Sequence, residues 1–225
     1  MKNKKMVVAL VIGAIIIGIL IFGIFKIINY KNVKTGNNIG DKTLKEVEEY
    51  ILNISSYDAE IELTIESNKN INKYIINQKY SEPNIASQEV IEPKNIEGLR
   101  IRYDGNNLEI SNSKLNLSTI YENYTYLTNN VLWLSDFIQN YKKNMGKITE
   151  QNGIIIMETE RNENKYSMVE KLYIDRNENK ITKLIIEDEN KNNRIYITYN
   201  KIEIGSLNKD NVLAFKLEEV TEREI

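Results

Sequence analysis

The chain has 225 residues, with 30 Lys and Arg against 32 Asp and Glu, and it contains neither Cys nor His. The missing Cys excludes a disulfide framework and lipid attachment at a processed N-terminal Cys, and the missing His removes the commonest general base and metal ligand. Residues 1–40 hold six Lys and no acidic residue, so the rest of the chain has 24 basic and 32 acidic residues, a net charge of −8. Because phosphate contact needs clustered positive charge, this balance argues against a nucleic-acid-binding domain.

A membrane anchor is predicted at the N-terminus, where residues 6–25 contain no charged or polar side chain. A helix of this length covers about 30 Å, the thickness of the hydrocarbon core of a bilayer, and satisfies its own backbone hydrogen bonds. The alternative is a cleaved secretory signal, since Lys2, Lys4 and Lys5 precede the apolar run. The run is longer than a usual signal core, and no small-x-small cleavage site follows it. The sequence therefore favours an uncleaved signal anchor.

The rest of the chain is predicted to lie outside the cytoplasm. Lysines flank the apolar run on both sides, so the positive-inside rule favours a cytoplasmic N-terminus only slightly, but long domains are exported largely regardless of charge. We expect a transmembrane anchor over residues 1–28, a polar linker over 29–40 and an extracytoplasmic domain over 41–225. The predicted location is the cell membrane, with a single span.

The first half of the domain is predicted to contain one helix followed by antiparallel strands. Apolar residues at helical spacing run from about Asp41 to Asn53. Between Tyr57 and Glu66 the period changes to two, which is typical of a strand with one wet face. Asp104-Gly105 is a strong hairpin turn signal. Further strands are expected over residues 71–80, 87–91, 99–103, 107–110 and 114–121.

A second helix and a C-terminal set of strands complete the predicted domain. Leu127, Val131, Leu134, Ile138 and Tyr141 recur at steps of three and four, which predicts a helix capped near Thr128 that ends by Gly146. Further strands are expected over residues 148–149, 153–160, 169–174, 181–186, 194–199 and 212–217. The predicted fold class is α+β, an antiparallel sheet of eight or more strands with two helices against it.

Two motifs that resemble ligand-binding loops are better explained as ordinary linker or turn sequence. Residues 36–43 read GNNIGDKT, which lacks the spacing of a phosphate loop and the strand that precedes one. Asp175, Asn177 and Asn179 imitate the start of a calcium loop, but the sixth position is Lys180 and the twelfth is Ile186. A hairpin turn explains that segment better. We therefore expect no metal, no cofactor and no enzymatic activity.

The candidate binding surface is aromatic. Among 14 Tyr, three lie close together before the second predicted helix, at Tyr121, Tyr124 and Tyr126, and Trp133 follows within that helix. Amphipathic rings of this kind often line binding grooves or protein interfaces. They are also common in strands, so the same residues fit an ordinary structural role.

Two blocks of sequence resemble a known family. The first runs from Tyr80 to Tyr141 and includes Pro83, Val90-Ile91-Glu92-Pro93, Gly98, Tyr103-Asp104-Gly105, Asn112 and Tyr121. The second comprises Leu172–Asp175, Ile181–Ile186, Ile195–Tyr199 and Phe215. Together they resemble the GerS-type germination lipoproteins of spore-forming anaerobes and, through these, the LolA-like lipoprotein carriers and RseB-type sensors. This chain departs from the GerS type because it lacks the Cys that carries the lipid.

The resemblance implies a half-barrel of antiparallel strands with helices on its concave side and a non-enzymatic function. It implies two alternatives for the ligand. The first is a protein partner, namely a cell-wall enzyme such as the cortex peptidoglycan amidase that GerS-type proteins accompany in sporulation and germination. The second is a lipid or lipoprotein held in the half-barrel, as in the carriers. A permanently anchored chain cannot shuttle, and this favours the protein partner.

Overall fold

A computed structural model describes residues 39–124, 131–163, 166–190, 192–205 and 207–213. The chain divides into two compact units, Met1–Asp41 and Lys42–Ile225. The predicted anchor falls in the first unit and outside the described residues, so it stays a prediction. Within the ranges given above, no helix combines the length and the apolar character that a membrane span requires.

Within the residues that the structure describes, eleven antiparallel strands form one open sheet, which confirms the predicted α+β class with more than eight strands. In chain order they are β1 (Ser56–Glu66), β2 (Ile71–Ser81), β3 (Ile85–Glu92), β4 (Arg100–Tyr103), β5 (Leu108–Asn112), β6 (Leu117–Tyr121), β7 (Lys147–Gln151), β8 (Ile154–Glu163), β9 (Tyr166–Asp175), β10 (Lys180–Asp188) and β11 (Arg194–Ile204). The order across the sheet is β6-β5-β4-β3-β2-β1-β11-β10-β9-β8-β7. Strands β6 and β7 are therefore the two edges.

The two faces of the sheet differ in burial, as the alternation in β1 predicts. Ala59, Ile61 and Leu63 are at most 2 % exposed, whereas Glu60 and Glu62 on the opposite face reach solvent. We call the face that carries Ile61 the covered face and the other the open face. Burial of the apolar set on one face fixes the register, because a slip by one residue would expose all of it.

Three α-helices and one 3₁₀ turn accompany the described strands: α1 (Leu44–Leu52), the 3₁₀ turn (Ser113–Leu115), α2 (Leu134–Lys143) and α3 (Lys209–Leu213). Helix α1 begins with a capping box, in which the Thr43 hydroxyl accepts from the Glu46 N–H at 3.3 Å and the Glu46 carboxylate accepts from the Thr43 N–H at 2.7 Å. The hydrogen bond from the Thr43 backbone lowers the pKa of Glu46. This confirms the first predicted helix.

Helix α2 lies on the covered face, and it begins later than the sequence predicts. Leu134 and Ile138 are buried as expected, but Val131 is half-buried and belongs to a turn. Trp133 has extended backbone angles, φ −101° and ψ 134°, so the helix begins after it, although the apolar residues of the sequence keep helical spacing back to Leu127. The predicted cap at Thr128 lies outside the described residues.

Residues 209–213 correct another prediction, since they form the short helix α3 where a strand over 212–217 was expected. Two asparagines cap its start, with the Asn208 side chain accepting from the Asn211 N–H at 2.9 Å. Such local hydrogen bonds favour a helix start over a strand. The Val212 carbonyl accepts from the Ser87 hydroxyl at 2.7 Å, which places α3 on the open face of β3. Residues 214–217 lie outside the described part of the chain.

Candidate partner-binding surface

A row of residues crosses six adjacent strands on the covered face and contains four tyrosines. The strand registers align Tyr57, Tyr80, Ala86, Tyr103, Leu108 and Tyr121, one residue from each of β1 to β6. We call this set the tyrosine row. It begins in the core of the domain and ends at an edge of the sheet.

Burial falls along the tyrosine row from the centre of the sheet to its edge. Tyr57 is fully buried and stacks on Tyr80 with ring centroids 5.7 Å apart. Burial, with a smaller contribution from the neighbouring Tyr199 and Tyr80, raises the pKa of Tyr57 well above its usual value. Tyr103 remains buried, at 6 % exposure, and its hydroxyl donates to the Gly105 carbonyl at 3.0 Å. Tyr121, at the end, is 48 % exposed.

The exposed end of the row belongs to an apolar patch on and beside β6. Six large apolar side chains are conspicuously exposed in the described chain, and four of them lie between residues 115 and 121: Leu115 at 56 %, Leu117 at 38 %, Ile120 at 62 % and Tyr121 at 48 %. The Tyr124 ring packs at a tilt against Tyr121, with centroids 6.2 Å apart. We call Leu115, Leu117, Ile120, Tyr121 and Tyr124 the β6 patch. Leu117 and Tyr121 lie on the covered face and Ile120 on the open face, so the patch presents apolar side chains on both faces of the edge strand, and exposed apolar clusters typically mark an interaction site.

The structure separates the four residues that the sequence groups together. Tyr121 and Tyr124 are in contact at the surface, whereas Trp133 is only 4 % exposed and lies beside Tyr80 and Tyr103. Tyr126 lies outside the described residues. The side chains missed by sequence reasoning are Leu115, Leu117 and Ile120. Their signal was a run of seven uncharged residues, 115–121, between Lys114 and Glu122 in a chain where 28 % of residues are charged.

A small cavity separates the tyrosine row from helix α2. It is lined by Tyr80, Asn84, Ala86, Tyr103, Trp133, Ser135, Asp136 and Gln139, and its volume is about 20 Å³. That volume is about the size needed for one water molecule, far below the space that an acyl chain occupies. Two larger depressions hold about 350 and 410 Å³ and are open to solvent; the first, beside Gly146, is mainly polar in its lining, whereas the second, beside α1, is mixed.

A buried charge cluster connects α2 to strands β8 and β9. Arg161 on β8 donates to Glu170 on β9 at 2.6 Å and also to Asp136 on α2, and these three residues are 5 %, 1 % and 7 % exposed. Asn140 on α2 donates to the second Glu170 oxygen at 3.1 Å. Buried charges are tolerated when they are paired and hydrogen-bonded in this way. The cluster fixes the position of α2 over the sheet.

The charge cluster was not predicted, although the sequence carries its signal. Ile155 and Met157 point to the covered face, so the alternation in β8 directs Arg161 to the same side. Asp136 and Asn140 lie four residues apart and therefore share one face of α2. Their partner Glu170 is on a different strand, so only the tertiary arrangement brings the charges together.

Chemically, the β6 patch offers aromatic and aliphatic contact surface next to an edge of the sheet. The described ranges contain no group of three or more Asp or Glu side chains arranged to hold a metal ion. Asp175 accepts hydrogen bonds from the N–H groups of Asn177 and Glu178 at 2.8 and 2.9 Å, so the calcium-like segment is a hairpin turn, as predicted. These features suit recognition of another molecule by surface contact.

No family model matches the chain, and no curated protein matches it either. Solved structures do. A chain in the complex of the CwlD amidase with the GerS lipoprotein from Clostridioides difficile is 26 % identical, with 72 % of this chain and 96 % of that chain covered and a TM-score of 0.44. A LolA superfamily protein from Nitrosomonas europaea is 10 % identical, with coverages of 77 % and 98 % and a TM-score of 0.46.

A third similar structure is the MucA/MucB complex of Pseudomonas aeruginosa, with 12 % identity, coverage of 76 % of this chain and 59 % of that chain, and a TM-score of 0.40. The protein described here is thus similar to GerS and to LolA-like proteins, and the resemblance that its sequence predicts is confirmed.

Proposed function

We propose that this chain is a non-enzymatic, membrane-anchored binding protein that acts outside the cytoplasm and captures a protein partner with the β6 patch. The observation that carries the proposal is the concentration of exposed apolar side chains at β6, where the tyrosine row reaches the surface. Interfaces are enriched in Tyr and in large apolar residues at their buried centre. Tyr121 and Tyr124 form the aromatic anchor of that surface.

The proposed partner is a cell-wall enzyme, a cortex peptidoglycan amidase that acts in sporulation and germination. The sequence resemblance to GerS-type proteins suggests this class, and GerS itself is in complex with the CwlD amidase in the C. difficile structure. The net charge of −8 beyond residue 40 supports a partner with a neutral or basic contact surface. An accessory role fits a domain whose distinctive features are contact surfaces.

A lipid or lipoprotein carrier is the alternative function, and the size of the cavity disfavours it. Binding sites for drug-sized ligands commonly occupy roughly 300–1,000 Å³ and are mostly apolar. The cavity beside the tyrosine row measures about 20 Å³. Of the two larger depressions in the described part of the domain, the one beside Gly146 is mainly polar in its lining and the one beside α1 is mixed, and both are open to solvent. A protein partner is therefore the better-supported ligand.

The direct test is binding of the purified full-length chain, in detergent, to the CwlD-type amidase encoded in the same genome. We expect Tyr124→Ala to weaken binding by about thirtyfold, since truncating a buried aromatic anchor commonly costs about 2 kcal/mol. Tyr196→Ala, on β11 and equally half-buried, is the matched control and should bind as the wild type does. A Tyr124→Ala variant that folds and binds normally would remove the β6 patch from the interface.

The anchor is tested separately by fractionation of the native host. We expect the chain to remain in the membrane fraction after salt and alkaline washing, because a spanning apolar helix resists both. External protease should degrade residues beyond Gly40 in spheroplasts. Recovery of a soluble form that begins near Asn29 would show that residues 1–28 are a cleaved signal.

A further inference from the structure

Strand β6 has a neighbour on one side only. Its five residues pair with β5, from Leu108 opposite Tyr121 to Asn112 opposite Leu117, and the described chain places no strand along its other side. In an antiparallel pair the N–H and C=O groups of alternate residues point away from the partner strand. The outer side of β6 therefore presents backbone donors and acceptors to whatever approaches the edge.

The other edge of the sheet, β7, is protected where β6 is not. Lys147 and Glu150 put charges on β7, and they pair with Glu158 at 2.8 Å and with Arg176 at 2.7 Å. Helix α1 also packs against β7. Natural sheets commonly protect an edge with charged side chains or a covering element. Strand β6 reads Leu-Ser-Thr-Ile-Tyr and carries no charge.

Side chains on both faces of β6 are available for contact. Leu117 and Tyr121 share the covered face, at 38 % and 48 % exposure, and Ile120 on the open face is 62 % exposed. Directly after the strand, Glu122 is exposed and has no ion-pair partner within the described residues. Considering the described residues alone, the edge thus combines backbone groups without a neighbouring strand, apolar side chains on two faces and one negative charge without an ion-pair partner at its end.

We infer that the partner binds by adding an extended segment to β6 as a twelfth strand of the sheet. This inference rests on the proposed function and specifies how the β6 patch is used. A helix satisfies its own backbone hydrogen bonds, whereas an added strand supplies the acceptors and donors that the outer side of β6 lacks, as in other cases of strand addition. The occupant is a segment of a partner protein and not a second copy of this chain, because the net charge of −8 beyond residue 40 opposes self-association and favours a basic partner.

The geometry defines the chemistry of that segment. Five paired residues span about 17 Å, so the segment is an extended stretch of roughly five residues. Uncharged apolar side chains at alternate positions would contact Leu117 and Tyr121 on one face and Ile120 on the other. A Lys or Arg at the end next to Glu122 complements the unpaired carboxylate and the net charge of −8.

Hydrogen exchange at the backbone is the decisive measurement, with the full-length chain alone and then saturated with the CwlD-type amidase. We expect the outward amides of Leu117–Tyr121 to exchange at least tenfold more slowly in the complex, while the amides of Lys147–Gln151 on the other edge stay unchanged. Binding without slower exchange in β6 would overturn the strand-addition inference alone. An amidase that does not bind at all would overturn the proposed function, and this inference with it.

A charge placed on the edge provides the second test. Ile120→Lys should weaken amidase binding at least tenfold, because a lysine on an edge strand opposes strand addition. Ile71→Lys is the matched control, since Ile71 is also an exposed isoleucine, at 64 %, on a different strand, and it should change the affinity less than twofold. Equal affinity of the folded Ile120→Lys variant and the wild type would overturn the inference.

Self-association is distinguished by concentration. If the amides of β6 became protected as the chain was concentrated without amidase, and sedimentation showed a dimer, the occupant would be a second copy and the inference would be wrong. Glu122→Gln should weaken amidase binding by about two- to threefold at low salt, and the difference should shrink as salt is raised. An unchanged affinity at low salt would remove the basic residue from the proposed segment.

Discussion

The two halves of the covered face are built from strands with the same alternating pattern, but they differ in residue composition and in how well their side chains are buried. Strands β7–β11 direct aliphatic residues to the covered face, where Ile155, Leu172 and Leu184 are completely buried and where α1 contacts β7 and α2 contacts β8. Strands β2–β6 add tyrosine and glutamine to the aliphatic residues on the same face, and the tyrosine row ends in Tyr121, which is half exposed. Alternation therefore determines which residues face the covered side, and a helix packed on that side determines which of these residues are buried.

The charge cluster belongs to the aliphatic half, where it positions α2, and the apolar patch belongs to the aromatic half. A half with its buried charges paired and its apolar groups covered is suited to stability. A half with exposed apolar groups is suited to recognition. Substitutions in the first half should therefore change unfolding, and substitutions in the second should change binding.

The largest effect is expected from Arg161→Ala, which leaves Glu170 and Asp136 buried without their cation. Removing one partner of a buried pair typically costs about 3–5 kcal/mol, a large part of the total stability of a domain. Denaturant unfolding of the purified chain would measure it. Lys45→Ala, which removes an exposed pair with Glu49 at 4.0 Å, is the control and should cost less than about 1 kcal/mol. Similar losses of unfolding free energy for both variants would contradict the conclusion that Arg161 stabilises the domain through a buried charge cluster.

A matched pair of isoleucines tests the comparison next. Ile138 on α2 is 4 % exposed and Ile120 on β6 is 62 % exposed. Ile138→Ala should lower the free energy of unfolding by about 2–5 kcal/mol through lost burial and a new cavity. Ile120→Ala should lower it by less than about 1 kcal/mol, because its side chain already contacts solvent. Equal losses of unfolding free energy for the two variants would mean that the Ile120 side chain is buried in solution.

A smaller effect is expected from Gly146→Ala at the end of α2. A Cβ at this position would meet the Tyr141 ring and lie 2.8 Å from the Glu158 carbonyl oxygen, so either the ring or the strand must move. The Tyr141 hydroxyl donates to Glu48 at 2.5 Å and links α2 to α1. Burial, together with that carboxylate, raises the pKa of Tyr141. We expect a loss of about 1–3 kcal/mol in thermal or denaturant unfolding.

The outcome that would contradict this account of Gly146 is an unchanged stability, which would show that the Tyr141 ring has room to rotate. Gly98→Ala is an informative comparison, because no atom lies near its Cβ position and its φ of +78° is the only source of strain. Its loss should therefore reflect backbone conformation alone.

The smallest effect is a pH dependence in the aromatic half. Asp104 accepts from the N–H groups of Asn107 and Asn106 at 2.7 and 2.9 Å in the β4–β5 hairpin, and these backbone hydrogen bonds lower its pKa. A lowered folded-state pKa adds stability above the unfolded value, about 3.9, which is lost as the pH falls through the folded value. Asp104→Asn should therefore melt at a slightly lower temperature than the wild type at pH 7, and the gap should close by about pH 2. A constant gap would exclude the carboxylate as its cause.

Sequence reasoning found most of the fold because local signals specify it. The period of two in β1, the Asp104-Gly105 turn and the Thr43 cap each act over a few residues. It misplaced the start of α2 because the spacing from Leu127 to Leu134 is helical, while the backbone at Trp133 is extended. It read Val212 as part of a strand because the Asn208 and Asn211 cap is a weaker signal than alternation.

The candidate site was predicted only in part, for a physical reason. Tyr121 and Tyr124 are near in sequence, so their contact follows from local structure. The position of Trp133 beside the tyrosine row, and the edge position of β6 among the strands that the structure describes, depend on how distant strands pair. No local pattern reports which strand of a sheet will be last.

The pairing of β1 with β11 has a consequence for how the chain folds. Every other pair of neighbouring strands in the sheet is consecutive in the chain, whereas the junction of β1 with β11 joins residues such as Glu60 and Asn200, 140 positions apart. Closing so long a loop is entropically unfavourable, and contacts between distant parts of a chain slow folding. During synthesis, β1 to β6 leave the ribosome long before β11 does. Until β11 arrives, the edge of β1 stays open to wrong partners, so this late junction is where misfolding and chaperone dependence should concentrate.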